Sequence, residues 1–88
     1  MSHRILIAYA SRTGVTAEFA QTLAQAPAFA ADSVQVLKMQ DVRDLDGFDA
    51  VILGSSVRFG QWLAEAQEFV ESRQKDLTQR PTALFTVH

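Results

Sequence analysis

Six consecutive residues near the N-terminus have the composition of a phosphate-binding loop. The stretch 11–16, Ser-Arg-Thr-Gly-Val-Thr, follows the apolar run Ile5–Ala10, which has the character of a strand buried on both faces. Apolar residues at helical spacing begin at Val15, so a helix is expected to start inside this stretch. Backbone N–H groups and the positive dipole end of a helix N-terminus attract phosphate. The hydroxyls that could donate to phosphate oxygens, and the glycine that lets the backbone approach, are Ser11, Thr13, Thr16 and Gly14.

A simpler interpretation of the same stretch needs only one of these hydroxyls. Thr13 could cap the helix while Ser11 satisfies a loop N–H, as such residues commonly do. Arg12 could pair with a phosphate or point to solvent. The chain lacks both the glycine-rich lysine loop of nucleoside triphosphate sites and the G-x-G-x-x-G of dinucleotide sites. If the stretch binds a nucleotide, a mononucleotide is the class that remains.

A second polar stretch follows another apolar strand. Ala50–Leu53 is apolar and is expected to end at Gly54, and residues 55–60 then run Ser-Ser-Val-Arg-Phe-Gly. Phe59, or Trp62 just beyond it, could stack on a flat ligand, and Arg58 could meet a negative charge. Alternatively, both rings only cover the sheet edge and the start of the next helix, and for Trp62 this packing role is the favoured interpretation.

The elements that must position these stretches alternate along the chain. Strand, helix, strand, strand, helix and strand are predicted, with the second strand, Val34–Met39, at the sheet edge. The first helix is expected to end at Pro27, and the second is marked by Leu63, Ala66, Phe69, Val70 and Leu77. This order predicts an α/β fold with an open parallel sheet flanked by helices. Ligands of such sheets bind beyond the carboxyl ends of strands where the strand order reverses, and both polar stretches are expected there.

Composition argues against several other functions. The 88 residues include no cysteine, and the two histidines, His3 and His88, stand at opposite ends, which disfavours disulfide, thiol and metal chemistry. A net charge of -2 argues against a nucleic-acid partner. Because no stretch has the length of a spanning helix or the pattern of a signal peptide, a cytoplasmic protein is expected.

The first stretch resembles the phosphate loop of the flavodoxin family. Tyr-Ala-Ser-Arg-Thr-Gly-Val-Thr at 9–16 is similar to the family pattern Thr/Ser-x-Thr-Gly-x-Thr, whose hydroxyls and amides hold the 5'-phosphate of FMN. The resemblance implies FMN as cofactor, with Ser11, Thr13 and Thr16 as hydroxyl donors and Gly14 at the point of close approach. Val15 stands where many flavodoxins have asparagine and would contribute its backbone N–H, while Arg12 adds a cation.

The second stretch resembles the loop that runs beside the isoalloxazine ring in the same family. Within the family, Gly-Ser-Ser-Val-Arg-Phe-Gly at 54–60 is most similar to the menaquinone-dependent protoporphyrinogen oxidases, which oxidise protoporphyrinogen IX in haem synthesis. The resemblance implies an FMN-dependent oxidoreductase whose partners are protoporphyrinogen IX and a quinone, the latter met at the inner face of the membrane. A flavodoxin-type electron carrier and a non-catalytic fragment are the alternatives. The cofactor contacts implied here are Ser55, Ser56, Val57, Arg58, Phe59 and Gly60.

The predicted strand count falls short of the family's sheet. The family's order is 2-1-3-4-5, whereas four strands in the order 2-1-3-4 are expected here. Residues 1–88 are therefore interpreted as a partial flavodoxin-like domain, truncated before the fifth strand. The last strand, Thr82–Val87, would have an unpaired edge, which favours self-association.

Overall fold

The structure is a computed structural model that describes residues 3–11, 14–27 and 32–87, apart from the side chains of Val15 and Arg58. Its strands are β1 (Arg4–Ala10), β2 (Ser33–Lys38), β3 (Ala50–Arg58), β4 (Gln61–Trp62) and β5 (Thr82–Val87). Its helices are α1 (Val15–Ala24), α2 (Ala64–Ser72) and α3 (Gln74–Thr78), with a 3-10 turn at Met39–Asp41.

Four parallel strands form the body of the sheet. Their order is β2-β1-β3-β5, which confirms the predicted arrangement, since β5 is the predicted fourth strand. The prediction of four strands was wrong, because the sheet has five strands within the described residues. The additional strand, β4, pairs antiparallel with the end of β3.

The predicted end of the third strand at Gly54 was also wrong. β3 continues to Arg58, and the chain then turns back so that Val57 and Arg58 pair with Trp62 and Gln61. Residues 55–58 thus belong to a strand although two of them are serines. Hydrogen bonding to β4, together with pairing of Ser55 and Ser56 to β5, stabilises this extension.

Both faces of the sheet carry helices. Because side chains of a strand alternate between faces, Leu6 and Ala8 lie in the core beneath α2, and Ile7 lies on the opposite face with Ala20 of α1. The core beneath α2 also includes Phe69. No helix in the described ranges is long and apolar enough to cross a membrane.

The predicted second helix is divided into two. α2 ends at Ser72 and α3 begins at Gln74, with Arg73 between them at φ -120°. The Arg73 guanidinium donates a 2.9 Å hydrogen bond to the carbonyl of Val42 and lies 4.5 Å from the centre of the Phe69 ring. These contacts attach the break between α2 and α3 to the loop that precedes β3.

The strand β5 is covered on one edge only. It pairs with β3, and no other strand of the described chain pairs with its second edge. Leu84 is 66% exposed, and Phe19 of α1, whose ring lies 5.0 Å from that of Phe85, is 49% exposed. The expected exposed edge is therefore present in the described part of the fold.

Candidate functional site

The two polar stretches meet at one edge of the sheet. β1 and β3 are adjacent and parallel, and Ala10 at the end of β1 lies opposite Ser55 of β3. Just beyond, Thr16 Oγ1 and Ser56 Oγ lie 2.6 Å apart in a hydrogen bond that joins residues 40 positions apart in the chain. The first turn of α1 is thereby linked to the extended part of β3.

The loop after β1 turns sharply at Gly14. The Gly14 N–H donates a 3.0 Å hydrogen bond to Ser11 Oγ, and Gly14 is the N-cap residue of α1 with φ 84°. This left-handed conformation favours glycine. The N-cap position therefore falls on Gly14 and not on Thr13. Arg12 and Thr13 themselves lie outside the described residues, as does the side chain of Val15.

Space is open beside this turn. A Cβ atom added to Gly14 would meet no atom of the described residues within 4 Å, its two chain neighbours aside. Ser11 is half-buried, and its hydroxyl, which accepts from Gly14, keeps its own hydrogen for donation. Among the residues that the structure describes, none blocks the approach of a ligand oxygen to Gly14.

The hydroxyls of three predicted cofactor contacts, Thr16, Ser55 and Ser56, are hydrogen-bonded within the protein. Thr16 is fully buried, and its hydroxyl bonds to Ser56. Ser55 is also fully buried: its Oγ donates to the Ser56 carbonyl at 2.8 Å and accepts the Leu63 N–H at 3.2 Å. The observed role of these side chains is to connect β3 with α1 and with the start of α2, and their contact with a ligand remains a prediction.

The hairpin between β3 and β4 presents an aromatic ring on a strained backbone. Its two-residue loop is Phe59-Gly60, with φ 54° and φ 76°, and positive values at both positions are what a type I' turn requires. Asparagine is the usual first residue of such a turn, and left-handed backbone costs another L-residue about 1–2 kcal/mol. Phe59 nevertheless occupies this position with 91% of its surface exposed. Strain of this kind is concentrated at functional sites.

Two neighbouring cavities extend from the α1 loop to this hairpin. One, of about 450 Å³, is lined by residues 61–65 together with Phe59 and Gln67. The other, of about 280 Å³, is lined by Tyr9, Ala10, Ser11, Gly14, Ala17, Lys38, Gln40 and Glu65. Glu65 lines both, so the two cavities adjoin, and the larger one has the size of a small-molecule site.

Trp62 has a packing role in addition to lining the larger cavity. It is half-buried against the core, and its Nε1 donates a 3.1 Å hydrogen bond to Thr86 Oγ1 of β5. The side chain therefore fixes the hairpin to the neighbouring strand, in agreement with the favoured interpretation of this residue.

The described residues fit a ligand that has a phosphate at one end and a flat ring at the other. The smaller cavity offers a hydroxyl and open backbone at Ser11 and Gly14, whereas the larger one offers Phe59, Trp62 and Leu63. Two charged residues of the smaller cavity, Lys38 and Glu65, were not identified as site residues from the sequence. The position of Lys38 at the carboxyl end of a strand beside β1 was the available signal. No group of side chains in the described ranges could hold a metal ion.

The sequence matches a known domain family and is similar to named proteins of Escherichia coli. The flavodoxin domain profile matches residues 6–88. The chain is 30% identical over 88 residues to protoporphyrinogen IX dehydrogenase (quinone) of Escherichia coli K12, an alignment that covers 97% of this chain and 48% of that protein. The same identity and coverage are found with the protein of that name from Escherichia coli O157:H7. The chain thus spans about half the length of the curated relatives it matches.

Solved structures share the fold. An archaeal flavodoxin superposes with a TM-score of 0.74 and 23% identity, covering 84% of this chain and 53% of its own. A variant flavodoxin of Fusobacterium nucleatum, solved with flavin mononucleotide bound, gives a TM-score of 0.78 and 19% identity, covering 98% of this chain and 51% of its own.

Proposed function

Since the chain belongs to the flavodoxin domain family, we propose that it is an FMN-binding redox domain. The hydrogen bond between Thr16 and Ser56 is the observation that supports this most. It joins the loop suited to a phosphate with the strand that leads to the exposed Phe59 ring. Both ends of a flavin mononucleotide would therefore be met by one continuous groove.

The residues that would hold FMN divide between the two ends of the groove. Ser11, Thr13 and the backbone around Gly14 would hold the phosphate, and Thr16 would keep that loop attached to β3. Phe59 would stack on the flavin ring, and Arg58 would compensate negative charge on it. When bound, FMN supplies the electron-transfer chemistry, while the protein binds and orients it.

We further propose that the substrate is protoporphyrinogen IX and that a quinone receives the electrons. The 30% identical relative is named for this reaction, and Phe59 lines the larger cavity, which could accommodate part of a flat tetrapyrrole. We place the protein in the cytoplasm, where it would meet the quinone at the inner face of the membrane.

The experiment for this proposal is an anaerobic assay of the FMN-loaded chain with protoporphyrinogen IX and menaquinone. We expect porphyrin fluorescence to rise in proportion to quinone reduced. A chain that binds FMN and exchanges electrons with a flavodoxin reductase, yet leaves the tetrapyrrole unchanged, is an electron carrier. A folded chain that binds no FMN is a non-catalytic module.

Phe59→Asn is expected to separate stability from ligand binding. Asparagine suits the turn, so the free energy of unfolding should rise by about 1 kcal/mol. Loss of the aromatic ring should weaken FMN binding by about tenfold, because stacking on a base-like ring contributes roughly 1–3 kcal/mol. Urea unfolding and a flavin fluorescence titration measure the two effects. Phe59→Tyr is the control and should keep the affinity; a more stable Phe59→Asn chain with unchanged FMN affinity would remove Phe59 from the site.

We also propose that two copies associate through β5. A second copy presents the same six-residue edge, and antiparallel pairing about a two-fold axis would pair the two edges while covering Leu84. We expect a dimer at tens of micromolar by light scattering, and a monomer for Leu84→Lys, since a charge there opposes the contact. Gln74→Lys, on the exposed surface of α3, should stay dimeric. A monomeric unchanged chain would refute this pairing.

A further inference from the structure

One wall of the smaller cavity comes from β2. Lys38, the last residue of β2, lies opposite Tyr9 of β1 in the sheet register. It therefore stands at the same level as the loop that begins at Ser11. Lys38 and Ser11 line the same cavity of about 280 Å³, with Glu65 of α2 also on its wall.

The charges of this cavity are not used within the described fold. The one ion pair found across residues 3–11, 14–27 and 32–87 joins His3 and Asp49, far from the cavity in the register of β1. Lys38 and Glu65 line the same cavity without pairing with each other there. A positive and a negative charge are thus both available to a ligand.

We propose that Lys38 is a specificity-determining residue that binds the phosphate of FMN from the β2 side, a role that rests on the FMN function proposed above. Helix N–H groups and hydroxyls carry no net charge, whereas an ammonium group adds direct Coulombic attraction to the phosphate dianion. Glu65 lines the same cavity, so its negative charge opposes binding of a phosphate there, and the positive charge of Lys38 offsets that repulsion. The ligand class selected is a mononucleotide whose phosphate is a dianion.

The test is a comparison of FMN and riboflavin binding by Lys38→Gln. We expect the dissociation constant for FMN to rise about tenfold, the equivalent of one charge-assisted hydrogen bond, with riboflavin unchanged. Lys38→Arg should keep most of the preference for FMN. Lys75→Gln, which removes an exposed lysine of α3, is the matched control and should leave both affinities unchanged.

Glu65→Gln provides an independent test, because it is expected to increase the affinity for FMN where Lys38→Gln decreases it. Removing the negative charge should tighten FMN binding by about threefold, without effect on riboflavin, and raised salt should reduce this difference. Circular dichroism and urea unfolding of each variant verify that the fold is retained.

The outcomes separate this inference from the function on which it rests. An unchanged chain that shows no preference for FMN over riboflavin overturns both. If the unchanged chain clearly prefers FMN to riboflavin, and neither Lys38→Gln nor Glu65→Gln alters that preference, only the proposed role of Lys38 is overturned. Equal losses for both ligands in Lys38→Gln would assign Lys38 a structural role and would also overturn the inference.

Discussion

A chain in which Thr13 and Thr16 are both replaced by valine is expected to bind FMN about 100-fold more weakly or worse. The loss corresponds to one charge-assisted hydrogen bond from Thr13 to the phosphate, at about 1.5–3 kcal/mol, together with about 1 kcal/mol for the Thr16–Ser56 bond that keeps the loop attached to β3. Thr13 is chosen because the sequence pattern predicts that it binds the phosphate. Thr16 is chosen because of the same pattern and because of its hydrogen bond to Ser56. Quenching of flavin fluorescence measures the affinity. Valine preserves the side-chain volume, so that the hydroxyl is the principal group removed.

Two controls identify the cause of this loss. Riboflavin lacks the phosphate, so its affinity should change far less. Ser56→Ala breaks the same 2.6 Å hydrogen bond from the other side while both loop threonines remain, and should weaken FMN by less than about tenfold. Equal losses of FMN and riboflavin in the double variant would mean that the loop does not hold the phosphate.

The second large effect is expected from Gly54→Ala, through stability. A Cβ atom at Gly54 would overlap the Phe85 ring at Cζ, Cε1 and Cε2. The ring would have to move and lose its position beside Phe19. Overpacking of this kind costs about 1–3 kcal/mol, which is a large part of the stability of a small domain. Urea unfolding followed by circular dichroism measures the change.

A double-mutant cycle tests this explanation. Phe85→Leu removes the ring atoms that meet the new methyl group, so Gly54→Ala should cost less in that background, by about 1 kcal/mol or more. Additive effects of the two substitutions would show that the contact seen between Gly54 and Phe85 does not set the cost. A Gly54→Ala variant as stable as the unchanged chain would refute the close packing itself.

Much of the fold could be predicted because its strongest signals are local. The run Ile5–Ala10 is apolar throughout, and the structure buries most of it beneath helices on both faces. Apolar residues at helical spacing located α1 and α2, and Thr82–Val87 was found with its observed bounds. The meeting of the two polar stretches followed from the parallel order, since each comes after one of two neighbouring strands.

Features that depend on tertiary contacts were not predictable. Ser55 and Ser56 have little intrinsic strand character, and they extend β3 because β5 and the short β4 pair with it. The helix break at Arg73 is held by a bond to the carbonyl of Val42, 31 positions away. The partner of the Thr16 hydroxyl is likewise distant in sequence, since Ser56 lies 40 positions along the chain.

The most direct test of the FMN site is a titration of the unchanged 88-residue chain against FMN, with riboflavin titrated in parallel. The site described here predicts saturable quenching of flavin fluorescence with a clear preference for FMN, since the groove offers a phosphate loop at one end and an exposed aromatic ring at the other. A folded chain that binds neither flavin, or binds both equally, would contradict it.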